Sequence, residues 1–307
     1  MELRQLRQVL VLSETLNFHR AAERLHMAQP PLSTSIKKLE EELGVLLFDR
    51  LSTGLRLTAA GEAVLQNAKR ALFFVDEIRR AARDGVAGEE GLLRIGFVGS
   101  ATYSLMPQIV RSFHRQYPRV DLEIEESTTT ELLRRIEDHS LDLALVRYPV
   151  LTPTAAVLTV LQLDHLVLAV SADSAFAQRS EIAIAELQGE AFIAYSRTLV
   201  PTMHVLTMQV FQDAGVQPRI TQEAVQVQTI LGLVESGLGM ALVPAVVQRY
   251  ASNGVRLIPL TDMPSKYTVG IAMASLPDAL TPAARNFIAV AHAAVQPSAT
   301  QPSTQSS

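Results

Sequence analysis

Residues 21–50 of the chain read AAERLHMAQPPLSTSIKKLEEELGVLLFDR, and this stretch decides the architecture of the N-terminal region. The apolar residues between Phe18 and Leu25 recur at helical spacing and predict a short helix. A tight connection follows, and two adjacent prolines, Pro30 and Pro31, indicate the first turn of a second helix, where proline is tolerated. The stretch therefore predicts two helices joined by a short turn.

The second helix is expected to have an apolar inner face and a polar outer face. The apolar stripe steps by four, three and four residues, through Leu32, Ile36, Leu39 and Leu43. The opposite face carries Pro30, Thr34, Lys37, Lys38 and Glu41, with Ser33 at its flank and Gln29 at the start of the helix. Two helices joined so closely, the second with polar groups outward, match helix-turn-helix geometry. The alternative is an ordinary helical pair whose lysines are merely solvated.

The outer face predicts two kinds of contact with double-stranded DNA. Gln29 and Thr34 carry amide and hydroxyl groups near the helix N-terminus and are the candidates for reading bases, with Pro30 beside them. The side chains expected to hold phosphates are those of Ser33, Lys37 and Lys38. Phosphate contacts set the register and make the affinity depend on salt, without carrying sequence information.

Residues 47–58, LFDRLSTGLRLT, predict a β-hairpin beside this helix pair. Two short apolar segments surround Ser52-Thr53-Gly54, a combination typical of a tight turn. Such a hairpin is interpreted as a wing, and its arginines, Arg50 and Arg56, would meet phosphates or the minor groove next to the second helix. The alternative is that both are exposed hairpin charges.

A long helix is predicted after the hairpin, with Thr58 as its N-cap and its end at about Arg83. Its apolar residues recur by fours and threes, at Val64, Ala68, Ala71, Val75, Ile78 and Ala82. One helix cannot bury such a stripe by itself, so pairing with the same helix of a second chain is the simplest solution and gives a homodimer. Packing against the chain's own α/β region is the alternative.

Composition excludes several classes of protein. The chain has 307 residues, 48% of them hydrophobic, which suffices for two or three domains. The absence of cysteine excludes disulfides and cysteine chemistry and fits a reducing cytoplasm. Residues 1–90 hold 13 Lys and Arg against 13 Asp and Glu, so DNA binding would depend on a few placed cations. Because no signal peptide or membrane-spanning run is recognisable, we expect a cytoplasmic protein.

From Leu92 the pattern changes to strands alternating with helices, after a boundary at the break GVAGEEG. The order strand, helix, strand in VDLEIEE, TTTELLRRIEDH and LDLALV recurs in RITQEAV, VQTILGLVESG and GMALVP. This recurrence predicts two similar α/β lobes. The final PSATQPSTQSS lacks large apolar residues and is expected to be a disordered tail.

No motif indicates an enzyme, a metal site or a bound cofactor. Gly237-Leu238-Gly239 is followed by Leu242 where a dinucleotide-binding fingerprint needs a third glycine, and it ends a helix instead of opening one. The motifs GxxxxGK[ST], HExxH and GxSxG are absent, and the seven histidines lack metal-ligand spacing. We therefore expect no catalytic residues, no metal and no cofactor.

The stretch AAERLHMAQPPLSTSIKKLEEELGVLLFDR, followed by LTAAGEAVL, resembles the N-terminal signature of the LysR-type transcriptional regulators. The resemblance implies a multidomain α+β and α/β fold. The implied fold consists of a winged helix-turn-helix, a linker helix that dimerises, and a two-lobed effector domain similar to periplasmic binding proteins. Members of the family are commonly assembled as tetramers. Promoter DNA, a small-molecule effector and RNA polymerase are the implied partners. The AQPPLS form is similar to members that control aromatic-compound catabolism. Many members have arginine where this chain has Thr34.

The resemblance also sets the expected domain bounds. These are residues 1–58 for the winged helix-turn-helix, 59–88 for the linker helix, 91–295 for the effector domain and 296–307 for the tail. Lobe I is expected at about 91–161 and 268–295, and lobe II at about 162–267. The effector would bind in the cleft between the lobes.

Two loops of the first lobe favour an anion in this cleft. They are Gly99–Thr102 and Ser127–Thr130, which place hydroxyls and free N–H groups at helix N-termini, although helix capping is the alternative. The first candidates for holding a small carboxylate are Ser100, Thr102 and Thr129. Arg147 can pair with a carboxylate, bridge the lobes or lie in solvent. The resemblance implies that four residues of the second lobe face the cleft, namely Tyr195, Pro201, Met203 and Gln226.

Together these observations predict a ligand-responsive transcriptional activator. It would bind a promoter site as a dimer or tetramer, and its lobes would close on a small, anionic and partly aromatic metabolite. The alternative is a small-molecule carrier whose N-terminal region serves only for oligomerisation.

Overall fold

The computed structural model of the protein describes residues 1–51, 54–84, 88–103, 105–261 and 264–295. These residues form two compact units, one ending with the long helix and one beginning with the first strand of the α/β region. The short turn Asp138–Ser140 groups with the first unit. The expected tail, residues 296–307, lies outside the described residues. Within the described part, every helix is too short or too polar to cross a membrane.

The first unit contains the expected helix pair, wing and long helix. In chain order its elements are α1 (Leu3–Thr15), α2 (Phe18–Arg24), α3 (Gln29–Leu43), β1 (Phe48–Leu51), β2 (Gly54–Leu57) and α4 (Ala59–Asp84). The apolar sides of α1, α2, α3 and the hairpin pack into one core, whose fully buried members include Leu12, Leu32, Leu39 and Leu47. The prediction of a winged helix-turn-helix followed by a long helix is confirmed.

Local sequence explains where these helices begin and end. The Asn17 side chain caps α2, because it accepts hydrogen bonds from the backbone N–H groups two and three residues later, at 2.9 and 3.1 Å. Gly44 ends α3 with a φ of 71°, a left-handed conformation that glycine adopts without steric cost. The Thr58 hydroxyl accepts a hydrogen bond from the Gly61 N–H at 2.9 Å, so Thr58 caps α4 as predicted.

Leu43 does not belong to the buried stripe of α3, and that expectation was wrong. Its exposed fraction is 37%, whereas Ile36 and Leu39 are almost fully buried. Leu43 is the last residue of α3, and the chain turns at Gly44 directly after it. Helical periodicity shows which side a residue faces but not where the neighbouring helices end, so it extended the stripe by one residue too many.

The wing is a short antiparallel hairpin. Its register runs from Phe48 opposite Leu57 to Leu51 opposite Gly54. The sequence predicts Gly54 in the turn, but the structure places it in β2 as the first residue of that strand. The other two residues of the expected turn, Ser52-Thr53, lie outside the described residues.

The first part of the apolar stripe on α4 is buried within the first unit. Ala68 and Leu72 pack against Leu6 of α1. Further along the helix, Ile78 keeps an exposed fraction of 70%, and the side chain of Ala82 lies outside the described part. Pairing with a second copy of α4 stays the prediction for the exposed portion.

The second unit alternates strands and helices in two lobes. Lobe I comprises β3 (Glu90–Phe97), α5 (Leu105–Gln116), β4 (Arg119–Glu126), α6 (Thr129–Glu137), β5 (Leu143–Tyr148), β6 (Val157–Asp164), β12 (Val269–Ser275) and α9 (Pro282–Val295). Lobe II comprises β7 (Leu166–Ser171), β8 (Ala191–Tyr195), α7 (Pro201–Asp213), β9 (Arg219–Ala224), α8 (Val227–Glu235), β10 (Ala241–Pro244) and β11 (Val255–Ile258). The predicted repeat is visible, since β4, α6 and β5 correspond in order to β9, α8 and β10.

Lobe I is a five-stranded sheet in the order β4-β3-β5-β12-β6. Strand β3 runs parallel to β4 and β5, whereas β12 is antiparallel to β5 and β6. Strand β6 extends to Asp164, slightly past the expected lobe border at about residue 161. The chain enters lobe II directly after β6 and returns with β12.

Lobe II has two small sheets. Strand β7 pairs antiparallel with β10 and β11, and β8 pairs parallel with β9. An isolated bridge between Phe192 and Met240 links the two sheets. Tyr103, which follows β3 of lobe I, packs into the apolar core of lobe II, so the two lobes are in contact.

Candidate functional site

The outer face of α3 is open to solvent in the first unit. The exposed residues are Gln29, Pro30, Thr34, Lys37 and Lys38, and Ser33 is half-buried at their flank. The opposite side of the helix is anchored in the core through Leu32, Ile36 and Leu39. The structure thus brings all six candidates of α3 onto one accessible face, which we call the α3 surface.

Two lysines give the α3 surface its positive charge. The Lys37 ammonium lies 3.6 Å from the Glu41 carboxylate one turn later, and both side chains are more than half exposed. Exposed pairs of this kind contribute only about 0.3–0.5 kcal/mol, so a phosphate can replace Glu41 at little cost. Lys38 is exposed at the adjacent position.

The two base-reading candidates differ in how their polar groups are engaged. The Thr34 hydroxyl donates to the Pro30 carbonyl at 3.0 Å. Its oxygen can still accept a hydrogen bond, so Thr34 can face a base amino group. Gln29 is the first residue of α3, where the backbone N–H groups of the helix have no intrahelical acceptor.

Buried glutamines of α1 hold the inner flank of α3, and the sequence analysis did not identify them. The Ser35 hydroxyl donates to the Gln8 side-chain oxygen at 2.6 Å, and the Gln5 amide donates to the Ser35 backbone carbonyl at 3.4 Å. Buried amides need such partners, so these contacts position α3 on α1. A signal was present, because Gln5 and Gln8 share one helical face with the buried Leu12.

Ser35→Ala is expected to lower the free energy of unfolding of the first unit by about 1–3 kcal/mol. The substitution leaves the buried Gln8 oxygen without its donor. Urea unfolding followed by circular dichroism measures the change. Thr34→Ala is the matched control, since the Thr34 hydroxyl donates to the Pro30 carbonyl at the exposed start of its own helix. Equal stability of Ser35→Ala and the wild type would contradict the positioning role.

Glu40 connects α3 to the wing. One of its carboxylate oxygens accepts hydrogen bonds from the backbone N–H groups of Leu47 and Phe48, at 2.8 and 3.1 Å. A carboxylate that satisfies two backbone donors holds the start of β1 against the end of α3. The hairpin is therefore tied directly to the helix that carries the α3 surface.

The structure describes the side chain of only one of the two wing arginines. Arg56 is exposed and forms an ion pair of 3.1 Å with Asp49 on the opposite strand. A phosphate would compete with this exposed pair at little cost. The side chain of Arg50 lies outside the part of the chain that the structure describes.

The second unit has a small cavity between the two lobes. Lobe I contributes Ser100, Arg147, Gln162 and Asp164 to its wall, and lobe II contributes Met203, Pro244 and Val246. The cavity volume is about 20 Å³, which leaves room for little more than one water molecule.

Arg147 of β5 and Tyr195 of β8 meet beside this cavity. The guanidinium carbon lies 5.4 Å from the centre of the tyrosine ring, and the exposed fractions of the two residues are 6% and 1%. Arg147 Nη1 and the Tyr195 hydroxyl find no hydrogen-bond partner among the described residues. Burial raises the pKa of Tyr195 to about 12, so at neutral pH its hydroxyl carries a proton that it can donate.

The other predicted residues of lobe I have mixed surroundings. Ser100 is buried and lines the cavity. The Thr102 hydroxyl donates to the Gly99 carbonyl at 2.6 Å, which is a bond within its own loop. The Thr129 hydroxyl accepts the Arg147 backbone N–H at 3.2 Å and so supports the strand that carries the arginine. Of these hydroxyls, the structure brings that of Ser100 to the cavity.

The other predicted residues of lobe II also lie in different surroundings. Met203 is buried in the cavity wall, whereas Pro201 is half-buried at the start of α7. Gln226 is half-buried directly before α8, and its side-chain oxygen lies 3.0 Å from where a Cβ on Gly99 would be. Gln226 therefore approaches a loop of lobe I across the cleft.

Sequence reasoning missed one charged residue of the cavity wall. Asp164 ends β6, and its carboxylate accepts hydrogen bonds from the backbone N–H groups of Val246 and His165, at 2.9 and 2.8 Å. A lone carboxylate inside an apolar run was the available signal. Among the described residues, no group of three or more potential metal ligands comes together.

Two family models match the chain. Residues 3–62 match the model for bacterial regulatory helix-turn-helix proteins of the lysR family. Residues 87–296 match the LysR substrate binding domain. The first match contains the α3 surface, and the second contains the interlobe cavity.

Individual proteins are similar over most of their lengths. The HTH-type transcriptional regulator AlsR of Bacillus subtilis (strain 168) is 37% identical over 249 residues, which cover 81% of this chain and 82% of AlsR. The Hca operon transcriptional activator HcaR of Escherichia coli (strain K12) is 34% identical over 295 residues, covering 94% and 97%. A solved full-length OxyR variant from Pseudomonas aeruginosa matches with a TM-score of 0.70 at 26% identity, covering 96% of this chain and 94% of that one.

Proposed function

The chain belongs to the LysR family of DNA-binding transcriptional regulators, and we propose from this premise that its α3 surface binds promoter DNA while its interlobe cavity receives a small anionic effector. The observation that carries the DNA-binding half is the exposure of the polar α3 surface opposite a fully buried apolar stripe. A helix anchored in this way can enter a major groove without rearranging its own core.

In this proposal the residues of the first unit divide into two roles. Gln29 and Thr34 read base edges from the N-terminal end of α3, with Pro30 against the groove. The residues that hold phosphates are Ser33, Lys37 and Lys38 on the helix and Arg50 and Arg56 on the wing. Because Glu40 ties the wing to α3, both sets of contacts move together.

The effector half of the proposal rests on the buried Arg147. Among the described residues one nitrogen of the buried Arg147 guanidinium has no acceptor, which favours an anion as its partner, and Arg147 lies in the wall of the interlobe cavity. The other residues proposed to contact or enclose the effector are Ser100, Thr102, Thr129, Tyr195, Pro201, Met203 and Gln226. An effector that binds one arrangement of the lobes better than another shifts the population toward it.

The same premise extends to assembly and location. We propose that the exposed part of α4 pairs with a second copy, that dimers or tetramers bind a pseudo-palindromic site, and that the protein activates transcription through RNA polymerase. We expect it to act in the cytoplasm and to have no enzymatic activity. The bounds proposed for its parts are 1–58, 59–88 and 91–295, with a tail at 296–307.

A gel-shift titration with the DNA upstream of the gene, at two salt concentrations, tests the proposal. We expect retardation that weakens at higher salt, and a footprint that changes when the effector is added. No retardation at low salt would favour the carrier alternative, in which the N-terminal unit serves only for oligomerisation. An unchanged footprint at saturating effector would contradict the regulatory step.

A further inference from the structure

We propose that Tyr103 is a lock that holds the two lobes of the second unit in one arrangement when no ligand is bound, and that Tyr250 strengthens this lock. The inference concerns the lobes of the free protein. It therefore goes beyond the proposed function and depends neither on DNA binding nor on the chemistry of the effector. It starts from a side chain of one lobe that is buried in the core of the other.

The segment that carries Tyr103 is fixed to lobe I. It is a short 3₁₀ helix, Gly99–Tyr103, which follows β3. Before and after the tyrosine, Val98, Ala101 and Leu105 are buried in the core of lobe I. The Ala101 N–H donates to the Val98 carbonyl at 2.8 Å, which closes the turn. The backbone that carries Tyr103 therefore moves with lobe I.

The side chain of Tyr103 nevertheless lies in the core of lobe II, with an exposed fraction of 4%. Its segment packs on a second short 3₁₀ helix, Ala245–Arg249 of lobe II, which the fully buried Val247 anchors. Burial raises the pKa of the Tyr103 hydroxyl, so the side chain is uncharged at neutral pH. A buried aromatic side chain removes roughly 150–250 Å² from contact with water. That burial is lost when Tyr103 leaves lobe II.

Tyr250 extends this contact at the surface of lobe II. Its ring centre lies 5.2 Å from that of Tyr103, and the two ring planes are inclined by 40°. Aromatic pairs contribute stability in addition to the area that they bury. Because the exposed fraction of Tyr250 is 58%, its replacement should leave the core of lobe II intact. The lock can therefore be weakened from outside without making a cavity.

The lock adds a non-covalent connection to the two places where the chain crosses between the lobes, after β6 and before β12. Short connections of this kind can act as hinges, whereas a buried side chain must leave its core before the lobes part. An effector that favours another lobe arrangement must supply the free energy that removes Tyr103 from lobe II. The lock thus sets the arrangement from which any response of the second unit begins.

Double electron–electron resonance measures the distance between the lobes in the full-length protein without added ligand. The chain has no cysteine, so two introduced cysteines can be spin-labelled specifically. They are introduced by Ala289→Cys on α9 of lobe I and Ala185→Cys in lobe II, both at exposed alanines. An excess of unlabelled protein ensures that the measured distances lie within one chain. Circular dichroism shows whether each variant is folded.

The variants in this labelled background are Tyr103→Ala, Tyr103→Phe and Tyr250→Ala. We expect a single distance in the parent. Tyr103→Ala should shift the ratio of the two lobe arrangements roughly 100-fold, so that a second distance becomes a major population. Tyr250→Ala should shift the ratio roughly 2- to 10-fold. Tyr103→Phe keeps the ring and should behave as the parent.

The matched control is Tyr117→Ala. Tyr117 also belongs to an aromatic pair, with its ring centre 4.9 Å from that of Phe113, but both residues lie in lobe I. The control should lower the stability of lobe I and leave the distance between the lobes unchanged. A second distance in the control as large as that in Tyr103→Ala would show general loosening and would overturn the lock.

An unchanged distance distribution in folded Tyr103→Ala would also overturn the proposal. Should Tyr103→Ala fail to fold, Tyr250→Ala decides, because a broader distribution supports the lock and an unchanged one refutes it. The proposed function is tested separately by the gel shifts of the wild type. Absent DNA binding refutes the regulator and leaves the lock in place, whereas failure of the lock leaves DNA binding untouched.

Discussion

Replacing Lys37 and Lys38 together by alanine is expected to weaken the binding of promoter DNA roughly 100-fold. Both ammonium groups lie on the exposed α3 surface. The ion pair between Lys37 and Glu41 is weak, so it does not prevent the Lys37 ammonium from binding a phosphate. Each phosphate contact that is lost also removes about 0.9 from the slope of log affinity against log salt concentration. Fluorescence anisotropy over a series of salt concentrations measures both quantities.

The control for this experiment is Lys266→Ala. Lys266 is an exposed lysine of the second unit, so the substitution removes one lysine charge outside the first unit. Because phosphate contacts carry no sequence information, the double variant should lose affinity for promoter and unrelated DNA alike. A salt slope identical to that of the wild type would show that neither lysine contacts a phosphate. A loss confined to the promoter sequence would reassign both lysines to base reading.

Phe113→Ala is expected to destabilise lobe I by about 3–5 kcal/mol. Phe113 is fully buried on α5, and its ring centre lies 5.1 Å from that of Phe287 on α9 and 4.9 Å from that of Tyr117. Truncation removes this ring contact between the two helices and leaves a cavity in the core of lobe I. Differential scanning calorimetry should show a lower melting temperature for the second unit, with the first unit nearly unaffected.

Leu163→Ala provides the comparison for this core substitution. Leu163 lies on β6 of the same lobe with an exposed fraction of 61%, so removing its side chain should change stability by less than about 1 kcal/mol. Similar shifts for the two variants would contradict the assignment of Phe113 to the core. A fall in the DNA affinity of Phe113→Ala equal to that of the lysine variant would show that the two units do not fold independently.

The elements of this chain follow closely from its local patterns. The apolar steps through Leu32, Ile36 and Leu39 predicted α3 with its buried face, and the Ser52-Thr53-Gly54 signal predicted the wing. Thr58 caps α4 as its position indicated. Such features depend on residues within a few positions of each other, so periodicity and capping chemistry are enough to place them.

The candidate site was only partly predictable. The polar face of α3 could be read from helical spacing, because exposure is what remains when the apolar stripe is buried. The effector residues were predicted from loops at helix N-termini and from the resemblance, and the structure brings some of them to the cavity but not others. Ser100, Arg147 and Met203 lie in the cavity wall, whereas the Thr102 and Thr129 hydroxyls bond to nearby backbone. A hydroxyl in a loop has the same local signal in both cases.

The sequence by itself determined the helix pair, the wing, the long helix and the two repeated lobes. The tertiary structure decided that Leu43 is exposed, that Gln8 is joined to Ser35, and that Arg147 meets Tyr195 from the other lobe. The physical reason is the range of the interactions. Apolar periodicity acts within one element, but the satisfaction of a buried polar group depends on which distant element packs beside it, and only the folded chain brings those groups together.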